Sequence, residues 1–261
     1  MKHAKLEHQA YDTHFNYIQC LCGLMKDATL HYSDTLRQAG TPDVDGKKNL
    51  ISLTKKSLID EYKIVKIDKD YSYASTSWLP VKAYYLIFNI LLTIEYIFKL
   101  QKNAFRLGHT ACIEEFTRKL KAGEIQFSEP ILNQVFDHSI LTHVVKSGAN
   151  LSSRTSPNEM YKMAIRKIAR YKLDDWKLKS RINLRKQVDK EKYDRYLQSL
   201  NISVFDFIYH MRIRSNYRDF AFIDDVTSDD TAEYFKSYFG FTVHFVKALE
   251  GMKKDLLVMK A

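Results

Sequence analysis

Between Met160 and Gln198 the chain sets Arg166, Lys167, Arg170, Lys179, Arg181 and Arg185, with further lysines and arginines, among Tyr161, Tyr171, Trp176, Tyr193 and Tyr196. Cations at this density can neutralise phosphates, and rings can stack on bases. The same composition describes a solvated helix face whose aromatics anchor it to the body of the protein. No nucleic-acid motif accompanies the patch, so both readings stand.

Three other groupings hold metal-ligand residue types. Cys20 and Cys22 form a Cys-x-Cys pair, but no second pair stands nearby to complete four ligands. His3, His8 and His14 do not recur at the three- or four-residue step that stacks side chains on one helix face, and are expected at the surface. Asp224, Asp225, Asp229 and Asp230 read as turn residues and as charges at a helix start, where the dipole favours them. The expectation is no metal and no cofactor.

The elements that must position these residues read as helices. Only 8 Gly and 4 Pro punctuate 261 residues, and apolar positions recur at helical steps. Trp78–Leu100 is apolar on nearly every face. Lys82, Asn89, Glu95 and Lys99 argue against a membrane span and for the central helix of a bundle, with Ser77 as its cap and Pro80 in its first turn. Further helices are expected over about 4–38, from a cap at Asp45 to Tyr62, up to Gly123, and from Ser128 to Gly148. Ile64–Ile67 reads as a connection or a helix extension. A linker at 149–156 ends in a capping box, Ser156-Pro157-x-Glu159. Ser203 caps the next helix, and a last one runs over about 229–259. The organisation expected is helices over 1–148, a basic helical insertion at 149–202 and closing helices over 203–261.

Composition bounds the function classes. With 45% hydrophobic and 13% aromatic residues the chain buries a real core and is not disordered. Its net charge of +10 favours polyanionic partners, although 31 acidic residues are interspersed among 41 basic ones. Three cysteines without framework spacing, and a polar start, imply a reducing, cytoplasmic setting.

Two stretches resemble the HEPN (higher eukaryotes and prokaryotes nucleotide-binding) domain family. In VKAYYLIFNILLTIEYIFKL, followed by GHTACIEEF, the matching residues are Ala83, Tyr84, Tyr85 and Phe88, then His109 and Phe116. In MRIRSNYRDFAFIDDVTSDDTAEYF they are Arg212, Tyr217, Phe220 and Thr227, with Asn216 where Asp is usual. The resemblance spans roughly 70–145 and 203–255. It implies an all-α fold, an antiparallel bundle of four or five helices with additional helices in the insertion. It also implies a homodimer and a role in prokaryotic toxin–antitoxin or phage-defence systems. Some family members are metal-independent ribonucleases that use Arg, four to six residues, then His. The Arg stabilises phosphorane-like charge, and the His moves protons while the RNA 2′-OH attacks.

No Arg in this chain is followed by His at that spacing. The expected function is therefore binding of RNA or a nucleotide, without catalysis, through Arg212, Arg214, Asn216 and the basic segment, since Arg suits bidentate phosphate contacts. A cognate regulatory protein is a further candidate partner, and a membrane is not expected. One alternative is a ribonuclease of altered motif, with Arg212 for charge and Tyr217 or His210 as the proton handler, although His210 falls on a different helix face. The other is a protein-interaction module. Tyr84, Tyr85 and Phe88 are expected in core or dimer packing, and His109 as a helix-start residue.

Overall fold

The computed structural model describes the backbone of residues 2–32, 45–99, 102–142, 155–217 and 227–260, with their side chains except at 2–13, 45–46, 102–103, 216–217 and 258–260. The helices are α1 (Lys2–Met25), α2 (Asp45–Ile67), α3 (Lys69–Thr76), α4 (Leu79–Lys99), α5 (His109–Lys121), α6 (Pro157–Lys179), α7 (Gln187–Ser199), α8 (Val204–Tyr217) and α9 (Ser228–Lys260). Among the described residues the only sheet is a two-stranded antiparallel ribbon, β1 (Leu30–Tyr32) with β2 (Ile125–Phe127), Leu30 opposite Phe127. The fold is all-α.

The other helices are laid around α4. Every residue from Ile90 to Phe98 is buried, because α2, α8 and α9 pack on it and α3 and α5 touch it. The helix is long and apolar enough to cross a membrane, yet 78% of that apolar window lies inside the protein. Each large apolar side chain buried this way contributes roughly 1.5–3 kcal/mol. α9 packs against α1, α3 and α4, and α6 against α1 and α8. At the α1–α9 crossing Gly240 faces Cys22, where a Cβ would come within 2.9 Å of the sulfur.

The charge inside the apolar run of α4 is compensated. Glu95, fully buried, pairs with the buried Lys119 of α5 and with Lys99. The Lys119 ammonium also lies over the Phe98 ring, 4.5 Å from its centroid. Glu115 extends the network to Lys119 at 3.5 Å and to Arg118 at 3.0 Å, and Arg118 holds the Glu115 carboxyl down at about 2.

Several helix ends form where the residue types dictate. Ser156 Oγ accepts from Glu159 N at 3.3 Å, with Pro157 in the first turn of α6. Ser203 Oγ accepts from Phe205 N, and Asp206 reaches back to Ser203 N at 2.9 Å. Thr227 and Asp230 cap α9 reciprocally, which accounts for Asp230, while Asp229 pairs with Lys69. Gly123, at φ 71°, ends α5 in a Schellman motif, with Glu124 N on Lys119 O and Gly123 N on Leu120 O.

Other expectations are corrected. The first helix stops at Met25, because Leu30–Tyr32 pairs with β2. Residues 62–67 continue α2, the helix extension that is one of the two readings expected there, whereas Ser77 ends α3 rather than capping α4. Of the helix expected from Ser128 to Gly148, the described residues 128–142 form no continuous helix. The Asn133 side chain takes both Phe127 N and Phe127 O, Asp137 caps Ser139 N, and Phe136 bridges to Ile202. These local polar contacts leave two single 3-10 turns, Pro130–Asn133 and His138–Leu141. His14 is buried at 8% exposure, not on the surface; His3 and His8 are among the undescribed side chains. The stretch 149–202 divides. In α6, Tyr161, Ile165 and Ile168 join the common core, whereas α7 has no buried residue. Most of the linker and the turn holding Asp224 and Asp225 lie outside the described residues.

Candidate nucleic-acid site around Arg212

α8 is fixed at its start by Asp206. That carboxylate, 1% exposed, accepts from Lys172 of α6 at 2.9 Å and from Thr117 of α5 at 3.3 Å. A helix pinned there presents Tyr209 and Arg212 toward α4 and α5, and His210 and Arg214 toward α6.

Arg212 Nη2 donates to the Tyr85 hydroxyl at 3.0 Å. Its guanidinium carbon lies 5.5 Å from the Tyr84 ring centroid and 5.3 Å from that of Tyr85. Both contacts are cation–π geometry. The Tyr84 hydroxyl shares a 2.8 Å hydrogen bond with His109 Nδ1 at the start of α5. The His109 ring packs on Phe88 at 4.4 Å and on Tyr209 at 6.4 Å. The Arg212 Nε is buried without a hydrogen-bond partner, and no carboxylate among the described residues pairs with this guanidinium.

These surroundings set the charge states. Burial, with the Arg212 cation adding to it, lowers the pKa of His109, so the ring is neutral near pH 7. Burial raises the Tyr84 phenol, which stays protonated. The cluster thus presents one partly buried cation, a neutral imidazole and tyrosine hydroxyls. That set can take an anion at Arg212 and move a proton at His109.

Tyr84 and Phe88 are buried, as expected of core residues, whereas Tyr85 is 38% exposed and holds Arg212. His109 does start a helix, and it also joins the Arg212 cluster. His210 does not: it is 3% exposed, 3.5 Å from Asp175 on the other side of α8, and burial lowers its pKa. Arg214 lies 4.0 Å over the Tyr171 ring. The side chains of Asn216 and Tyr217 lie outside the described residues.

The basic segment is split by its own packing. Tyr161 and Tyr171 are buried, and Trp176 stacks on Tyr196 at 4.1 Å and 3°. These rings anchor helices. Arg166 reaches Leu141 O at 3.4 Å, and Lys167 sits over the Tyr171 ring. Arg170, Lys179, Arg181 and Arg185 are exposed. Cys20 and Cys22 diverge, Cys20 donating to Pro157 O at 3.5 Å and Cys22 facing α9.

His109, Tyr85 and Tyr209 are the site residues that sequence reasoning did not assign. The motif match placed His109 and Arg212 in separate elements, and no local spacing brings them together. A comparison of the chain with family models, curated proteins and solved structures finds no match.

Proposed function

We propose that the protein binds RNA or a nucleotide, with the phosphate held at Arg212. The observation that carries this reading is Arg212 itself: a partly buried guanidinium that has, among the described residues, an unpartnered Nε donor, no paired carboxylate and a hydroxyl-rich surround. Such a cation prefers an anion that can take a fork of donors. The net charge of +10 and the exposed arginines of α6 and its following turn support it. The HEPN resemblance, a homodimer, a cytoplasmic defence or toxin–antitoxin role and a cognate regulatory protein belong to the same reading.

The test is RNA titration across a salt series. Affinity should fall linearly with log salt, and Arg212→Ala should weaken binding and make the slope shallower by about one. A slope near zero, or an unchanged Arg212→Ala protein, would sink the reading in favour of an interaction module.

A second reading is favoured by the contact chain from Arg212 through Tyr84 to His109. It is metal-independent RNA cleavage, with Arg212 stabilising charge and His109, rather than the buried His210, handling the proton. Incubating RNA with the chelator-treated protein and with its Arg212→Ala and His109→Ala variants tests it.

A further inference from the structure

We propose that the open cavity between α5, α6, α7 and α8 is a nucleobase pocket that seats the base next to the phosphate held by Arg212. The inference rests on the nucleotide-binding reading and adds the part of the ligand recognised and the residues that recognise it. The cavity holds about 240 Å³ and is walled by Thr110, Asp175, Trp176, Tyr196, Tyr209 and His210, among others. That is below the roughly 300–1,000 Å³ of sites for drug-sized ligands, and it suits one planar heterocycle.

Its wall holds an imidazole–carboxylate pair, His210 with Asp175. His210, 3% exposed, turns its buried Nδ1 toward the buried Oδ2 of Asp175, and neither atom has another partner. They lie 3.5 Å apart as a neighbouring imidazole and carboxylate. Burial lowers the His210 pKa and keeps the ring neutral. Burial pushes the Asp175 carboxyl up, but His210, Arg214 and Lys179 outweigh it and leave it ionised. The pair offers an imidazole nitrogen beside a carboxylate acceptor. Nucleobase edges carry a hydrogen-bond donor and acceptor side by side and can answer both.

Three aromatic rings share the rest of the wall with Lys172, Lys179, Glu114 and Asp206. Trp176 and Tyr196 form a stacked pair in the wall, and base–aromatic stacking is the general means of holding an unpaired base. Tyr209 is the partition. It lines the cavity, its hydroxyl lies 3.3 Å from Thr110 Oγ1, and its ring packs on Tyr84 and His109 of the Arg212 cluster. A nucleotide would straddle that ring, with phosphate on the arginine side and base on the His210 side.

The chain has two tryptophans, Trp78 and Trp176, so a Trp78→Phe protein reports on the pocket alone. It is titrated with AMP, GMP, CMP and UMP, with the four nucleosides, and with ribose 5-phosphate as the base-free probe. At least one mononucleotide should change Trp176 emission and bind about tenfold more tightly than ribose 5-phosphate, the scale of one stacked base. Asp175→Asn should erase that preference or change which base is favoured, whereas Arg212→Ala should weaken every phosphate ligand alike. Ile213→Phe, which narrows the cavity and leaves the polar pair in place, should weaken base-bearing ligands only and serves if Asp175→Asn does not fold. Equal binding of all mononucleotides and ribose 5-phosphate overturns the pocket, even where RNA binding depends on Arg212. Base-selective binding of nucleosides, with no effect of Arg212→Ala and no salt-dependent RNA affinity, overturns the phosphate site and leaves the pocket standing.

Discussion

Arg212 of α8 donates to the hydroxyl of Tyr85 of α4 at 3.0 Å, so the orientation of the guanidinium depends on a residue of another helix. Removing that hydroxyl with Tyr85→Phe should cost about 1 kcal/mol of orientation, or roughly fivefold in nucleotide affinity. Tyr85 is partly exposed, so denaturation midpoints should stay nearly unchanged. Isothermal titration beside a urea melt checks both. Unchanged affinity would mean that the guanidinium is positioned by its rings alone.

Arg212→Ala should weaken RNA binding by about 10- to 100-fold, the range of a charge-assisted contact. Arg212→Lys should recover part of that loss, because the charge remains and the planar fork does not. Filter binding at fixed salt gives the comparison. Full recovery by lysine would show that only charge matters there.

If the protein cleaves RNA without metal, His109→Ala should slow cleavage by about 10²-fold or more. The rate should fall as the pH drops and His109 takes up a proton, since burial holds that group neutral near pH 7. Single-turnover rates across pH, for wild type and His109→Ala, decide it. An unchanged rate in the variant would remove His109 from the chemistry.

Lys119→Met should destabilise the protein by about 3–5 kcal/mol, because Glu95 keeps Lys99 but loses its buried partner. The double variant Glu95→Leu, Lys119→Met should regain most of this, since an apolar pair fits the same apolar setting. Urea unfolding of the two single variants and the double variant closes the cycle. Additive losses would show that the two charges do not depend on each other.

Burial, and then the Lys167 cation, hold His14 down at about 3 in the folded protein, against 6.5 for an ordinary histidine. The unfolded chain takes up the proton first as pH falls, so the stability present above 6.5 is lost below it. Between pH 6.5 and 5 the loss from this one group is about 2 kcal/mol. His210, also lowered by burial, acts in the same direction. Urea midpoints at pH 7 and pH 5 for wild type and His14→Phe test it. The variant should lose about 2 kcal/mol less, and equal losses would clear His14 of the effect.

Local signals carried much of this fold. The Ser156–Glu159 box, the Ser203 cap, the Gly123 stop and the apolar run of α4 need no distant partner to be recognised, and each formed where its residues pointed. Features set by distant pairing were not legible. Leu30–Tyr32 becomes a strand only because Ile125–Phe127 lies beside it, and Asn133 stops a helix by occupying the backbone of Phe127. The site divides in the same way. Arg212 was visible as a phosphate binder from its own chemistry. His109 became its neighbour only through the packing of Tyr84 between α5 and α8, which no periodicity records.

The order in which α4 acquires its cover has a consequence for synthesis. Its largest packing partners include α8 and α9, and α9 also closes over α1 and α3. A ribosome delivers these helices well after α4. Throughout translation of the middle of the chain, a helix apolar enough to enter a lipid bilayer waits with much of its surface bare. Nascent chains stopped before Ser228 should therefore be clients of holding chaperones and prone to aggregate, and release should coincide with emergence of α9.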